Sequence, residues 1–135
     1  MKIEIIGSRP ILAIQQEFNR VFPLLKIEFF TRSHTKGKPT SAKFIVKPGK
    51  FLRDFGVPEN QAELEITGDT TVFELEKTFR ERFSLNVQVF RKSGRIWLET
   101  TATDDWTLDS QNEQGKELTE GSYDKGELPD YHEQE

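Results

Sequence analysis

The chain carries one run of residues twice, and this constrains its fold more than any other feature. Residues 2–32, KIEIIGSRPILAIQQEFNRVFPLLKIEFFTR, lie over residues 63–92, ELEITGDTTVFELEKTFRERFSLNVQVFRK, with one single-residue gap near Leu25. Ile5 falls on Ile66, Gly7 on Gly68, Phe18 on Phe79, Phe22 on Phe83, Leu24 on Leu85 and, past the gap, Phe30 on Phe90. A unit with one apolar face hides that face most simply against its own copy, so the duplication predicts a pseudo-twofold domain.

Within each copy the hydrophobic period switches from two to three-and-a-half and back. Ile3 and Ile5 alternate with Lys2 and Glu4, the pattern of a strand with one buried face. Ser8 or Arg9 is expected to cap a helix that starts near Pro10, where proline sacrifices no helical hydrogen bond. Ile11, Ile14, Phe18, Val21 and Phe22 form its stripe, and Pro23 ends it. Ile27 and Phe29 resume a strand, a polar loop through Gly37 and Pro39 follows, and AKFIV reads as a short strand before Pro48 and Gly49. In the second copy Leu64 and Ile66 mark the strand, and Asp69 or Thr70 the cap. Val72, Leu75, Phe79 and Phe83 mark the helix, and Val87 and Val89 the next strand. Ser93, Gly94 and Arg95 make a tight hairpin into a last strand with Ile96 and Leu98. GKFLRDF after the first copy and DDWTLDS after the second continue the parallel.

The fold class is therefore α+β: a two-layer sandwich from a tandem βαββ repeat, with both helices on one face of an antiparallel or mixed sheet. Repeat one spans residues 1–56 and repeat two 61–110, together one domain, which 135 residues without cysteine can hold by an ordinary core. Residues 111–135 are polar and charged, and are expected to form a disordered acidic tail. The layout over residues 1–108 resembles duplicated strand–helix–strand–strand domains and, more loosely, ferredoxin-like ones. Such layouts serve sensors, RNA binders, ligand cups and enzymes alike, so layout alone selects no function.

Charge is unevenly distributed. Residues 99–135 hold twelve acidic and two basic side chains, a net −10, against seventeen basic and eleven acidic in residues 1–98, a net +6. Arg32, Lys36, Lys38, Lys43, Lys47, Lys50 and Arg53 follow one another with no acid between them, a candidate contact for an anion or for the tail. The start of the chain has too short an apolar stretch for a signal peptide, and no run approaches a membrane span, so the expectation is a cytoplasmic protein.

The sequence offers little for catalysis, cofactors or metals. His34 lies in a polar loop and His132 near the end, neither on a packed element that would hold it against a nucleophile. Gly37–Thr40 reads GKPT, but a phosphate loop needs Ser or Thr directly after the lysine and an earlier glycine, and Arg32 stands at that earlier position. Asp104 and Asp105 beside Glu99 or Asp109 lack the spacing of a calcium loop. The stronger signal is aromatic. If Ile27, Phe29, Val87, Val89, Ile96 and Leu98 face the helices, alternation turns Phe30, Phe90 and Trp97 to the opposite face, with Ile6 and Ile45 beside them. Such a patch marks a binding surface unless the segment around Trp106 and Leu108 folds over it.

Three function classes follow. The favoured one is a non-enzymatic module that binds a protein partner or a second copy of itself through Phe30, Phe90 and Trp97. Another is a nucleic-acid binder using the basic 32–53 segment, disfavoured by Glu4, Glu28, Glu63 and Glu65 on the outer strand faces and by an isoelectric point near 5.3. The last is a small-ligand sensor or enzyme with a cleft between the repeats.

Overall fold

The computed structural model describes residues 1–32, 38–60 and 62–124. The elements are β1 (Lys2–Glu4), α1 (Ile11–Val21), β2 (Leu25–Phe30), β3 (Glu63–Glu65), α2 (Val72–Phe83), β4 (Asn86–Ser93), β5 (Ile96–Glu99) and α3 (Leu108–Asp124). They make an α+β fold with two antiparallel sheets, β1–β3 and β2–β4–β5, where the sequence led us to expect one sheet. In the small sheet Ile3 stands opposite Leu64 and Glu4 opposite Glu63; in the larger one Glu28 stands opposite Gln88 and Ile27 opposite Val89.

The period-two residues are buried as their alternation requires. Ile3, Leu64, Ile27, Phe29, Val87 and Val89 join Ile14 and Phe18 of α1 and Leu75 and Phe79 of α2 in one core. Phe29 meets Phe79 edge to face with ring centres 5.8 Å apart, so the β2 and α2 halves interlock through an aromatic pair.

Local chemistry sets the helix ends. Pro10, not Ser8 or Arg9, is the residue before α1, and no side chain caps it. Thr71, not Asp69 or Thr70, caps α2: its hydroxyl accepts the Glu74 N–H at 3.0 Å while the Glu74 carboxylate accepts the Thr71 N–H at 2.9 Å. This reciprocal pair satisfies two donors that the first helical turn otherwise leaves open. Each helix start is also clamped by a segment returning from later in the chain. Leu52 and Arg53 donate to the carbonyls of Arg9 and Gly7, and the Ile11 N–H bonds Lys50. Likewise Leu108 and Asp109 donate to Thr70 and Gly68, and the Val72 N–H bonds Trp106.

Two expected elements differ. AKFIV is not a strand: Ala42–Phe44 is a 3₁₀ turn, and only Ile45 bridges Phe30 at the edge of β2. Pro39 and Pro48 bracket this stretch, and proline cannot donate to a ladder. The segment expected to be disordered from Gln111 begins as a helix, since α3 runs to Asp124; residues 125–135 lie outside the described residues. The Thr107 hydroxyl accepts the Ser110 N–H at 3.1 Å ahead of the first full turn of α3. Leu108, Gln111 and Gly115 are buried against the β2–β4 layer, and the Asn112 side chain accepts the Leu24 N–H at 2.9 Å.

Gly115 sets how closely α3 approaches. A Cβ there would stand 2.8 Å from Leu24 Cβ and 3.2 Å from Arg91 Cγ. Replacing Gly115 by Val is therefore expected to destabilise the fold by about 1–3 kcal/mol, the usual cost of overpacking, despite the better helix propensity of valine. Chemical denaturation compared with the exposed Lys116→Val change is the check.

Candidate interaction face

Alternation along β2, β4 and β5 turns Lys26, Glu28, Phe30, Gln88, Phe90, Lys92, Trp97 and Glu99 away from the helices. α1 packs on β2, and α2 and α3 on β4, from the opposite side. Leu108 enters the core, and the main chain at Trp106 is tied to the start of α2, so this segment does not cover the outer face.

Of the expected site residues, Phe90 and Trp97 stand together, half-buried, where β4 and β5 pair. Phe30 is only 3 % exposed, which corrects its place in an open patch. The chain crosses back at Ile45, paired to Phe30, and residues 39–45 wall the face beside it. The result is a groove of about 510 Å³, with Phe30, Lys26 and Glu28 along β2, Phe90 on β4, Trp97 and Glu99 on β5, and Pro39 to Ala42 with Ile45 as its far wall.

Lys26 organises this groove. Its Nζ lies 5.4 Å from the Phe90 ring centre and 5.2 Å from that of Trp97, and 3.3 Å from Glu28 Oε2. Lys92 Nζ lies 5.7 Å from the Trp97 ring. Ammonium groups over π faces are worth about 0.5–1 kcal/mol each at exposed sites, weak enough to yield to a better partner. The lysine stems also shield ring faces that would otherwise stand in water.

Three cations of the basic segment lie over aromatic rings. Arg32 and Lys43 both lie over the Phe44 ring, at 4.5 and 5.2 Å, and Arg53 lies over Phe51 at 4.4 Å. Lys38, Lys47 and Lys50 are exposed, and Lys36 and His34 lie outside the described residues, as does His132. Three cations are thus parked on aromatic rings of their own loop. Of the acids weighed against nucleic acid, Glu28 is on the groove face while Glu4, Glu63 and Glu65 belong to the other sheet. Among the described residues no three acidic or histidine side chains gather as a metal site, and no helix is long and apolar enough to cross a membrane.

Several polar residues that sequence reasoning passed over are structurally committed. Glu76 is buried within the α2 stripe, and its carboxylate accepts the Val89 N–H at 3.3 Å. Gln88 is buried on the outer face, and among the described residues neither its amide atoms nor the Thr40 hydroxyl beside it has a hydrogen-bond partner. Arg91 faces the helix side, and its Nη1 donates to Gln111 Oε1 at 2.7 Å. Burial lowers the Arg91 pKa below the ordinary guanidinium value, because desolvation penalises the charge. The positions of Glu76 and Gln111 at helical spacing from Val72 and Leu108 were the available signal.

No family model, curated protein or solved structure matches this chain.

Proposed function

We propose that the protein is a non-enzymatic interaction module that takes a protein partner, or a second copy of itself, on the outer face of β2–β4–β5. The observation that carries this reading is the groove with Phe90 and Trp97 side by side, Lys26 over both rings and Lys92 over Trp97. Half-buried aromatics in a concave, mixed-charge setting are the residue types that dominate binding energy at interfaces.

We also propose that the module arose as two copies of one unit, repeat one over residues 1–56 and repeat two over 61–110. What supports this is the register. Ile3 pairs with Leu64, 61 positions on, and Glu28 pairs with Gln88, 60 positions on past the gap, so each sheet pairs a residue with its own counterpart. A twofold axis between copies produces such self-pairing. The clamps on the helix starts repeat in the same way: Leu52 on Arg9 matches Leu108 on Thr70, and Arg53 on Gly7 matches Asp109 on Gly68. On this reading Phe30 and Phe90 are counterparts, one roofed by residues 39–45 and the other left open as the anchor.

The test is selection of peptides from a random displayed library on the full-length protein, followed by binding to the Phe90→Ser, Trp97→Ser and double variants. Selected peptides are expected to lose most of their affinity for the double variant, since truncating a central aromatic contact typically costs about 2 kcal/mol or more. Trp97 fluorescence should respond to binding. Peptides that bind the double variant as well as the parent would overturn the reading.

A further inference from the structure

The strand edges differ in what covers them. On the free side of β2, the Leu25 carbonyl accepts from Asn19 Nδ2 at 2.8 Å and the Ile27 carbonyl from Gln15 Nε2 at 2.9 Å. The Phe29 carbonyl takes the Val46 N–H at 2.8 Å, and the Thr31 N–H reaches Phe44 at 2.9 Å. Where β4 outruns β5, Glu76 accepts the Val89 N–H and the Thr100 hydroxyl donates to the Val89 carbonyl at 2.8 Å. In the small sheet Arg9 donates to the Glu4 carbonyl and Arg82 to the Glu63 carbonyl, at 3.1 and 3.2 Å. Side chains and the returning 44–46 segment thus take up part of these edges, and the small sheet's edges are only three residues long and carry the exposed Lys2, Glu4, Glu63 and Glu65, devices that discourage pairing.

β5 has no such cover among the described residues. It ends the sheet order, and Gly94 with Arg95 forms a two-residue loop between the paired Ser93 and Ile96. In such a hairpin the pair flanking the loop is hydrogen-bonded and the pairing then alternates, so Ile96 and Leu98 bond β4 while Trp97 and Glu99 direct N–H and C=O outward. Among the described residues no hydrogen bond outside the β4 ladder reaches the main chain of Trp97 or Glu99. No proline, bulge or lysine on β5 itself blocks the approach. These same two residues line the groove.

We propose that β5 pairs antiparallel with β5 of a second copy, joining two three-stranded sheets into one six-stranded sheet across a twofold axis at Leu98. The inference rests on the reading of this face as an interaction surface and names its partner. The occupant follows from self-complementarity. In this register Trp97 stands opposite Glu99 of the second copy and Leu98 opposite its own equivalent, with the outward N–H and C=O groups in bonding positions. No like charges meet. Lys92, already over the Trp97 ring, comes within reach of the second copy's Glu99, so the row across the junction alternates in sign around an aromatic. Centring the pair on Glu99 instead would oppose two carboxylates.

Proline at position 99 separates edge from groove, because it removes an N–H that points away from β4 and spares the internal ladder. Sedimentation of the full chain from dilute to concentrated solution is expected to show a monomer–dimer equilibrium. Glu99→Pro should be monomeric throughout, while Glu99→Gln, which keeps the main-chain N–H, still dimerises. A parent chain that stays monomeric, or a Glu99→Pro chain that dimerises like the parent, overturns the proposal. Dimerisation kept by Glu99→Pro but lost in the Phe90→Ser, Trp97→Ser double variant overturns the edge pairing and leaves the groove reading standing. Should Glu99→Pro not fold, hydrogen exchange of the parent decides. Slowing of the Trp97 and Glu99 amides as concentration rises supports pairing between copies. Concentration-independent rates, including protection by residues 125–135 of the same chain, overturn it.

Discussion

Replacing Phe79 by Ala is expected to cost about 3–5 kcal/mol, the range for emptying a buried aromatic site, and Phe18→Ala a similar amount. Both side chains are fully buried. Phe79 touches Phe29 edge to face and lies 6.2 Å from the Phe83 ring, while Phe18 lies 5.3 Å from Phe22. Phe79 thus joins α2 to the β2 strand of the other half, and its loss strips contacts from both. The sites are far enough along the chain that a shared partner, not proximity in sequence, would couple them. Denaturant unfolding of the two single variants and the double variant measures this. Additive losses would mean the halves are held independently, and a double variant less damaged than the sum would show that one core serves both. A loss below about 1 kcal/mol for either single change would contradict its position in the core.

Ending the chain after Ser110 is expected to destabilise it by about 3–5 kcal/mol, because α3 supplies several hydrogen-bond partners at once and covers the β2–β4 layer. Gln111 is fully buried: it accepts from Arg91 at 2.7 Å and donates to the Thr103 carbonyl and hydroxyl at 2.8 and 2.9 Å. Asn112 satisfies the Leu24 N–H, and the Thr119 hydroxyl accepts the Gly94 N–H at 3.1 Å. Cutting the helix removes these hydrogen bonds together and opens the β2–β4 layer beneath α3 to water. The drop in melting temperature should be about 10 °C or more. Gln111→Leu alone, keeping the volume but removing the acceptor, should account for about 1.5–3 kcal/mol of it. An unchanged melting temperature on truncation would restore the expectation, drawn from composition, that residues from 111 onward are dispensable.

That expectation failed over 111–124 for a definite reason. Leu108, Gln111, Asn112, Gly115 and Thr119 fall at helical spacing on one side of α3, yet only the first is apolar. Hydrophobic periodicity detects faces that leave water because water rejects them. It is blind to a face that docks because its amides and hydroxyls match donors and acceptors elsewhere, and Arg91, Leu24 and Gly94 are distant in sequence. The misread AKFIV strand is the converse case. Its β propensity is genuine, but the prolines on either side and the single bridge to Phe30 leave it a 3₁₀ turn.

What the sequence determined by itself is the set of elements whose burial comes from apolar spacing: β1 and β3, α1 and α2, β2 and β4, and the hairpin to β5. Their periods of two and of three to four dictate which residues leave water, and this holds wherever the elements end up. The outward turn of Phe90 and Trp97 followed from the same alternation. Tertiary structure alone decided that the strands divide between two sheets, that residues 39–45 bury Phe30 while Phe90 stays open, and that Lys26 lies across both remaining rings. It also decided which edge groups side chains take up, and that the outer edge of β5 has no partner among the described residues. These outcomes depend on which donors and rings meet across long stretches of chain, and a one-dimensional pattern records what each residue avoids but not what it finds.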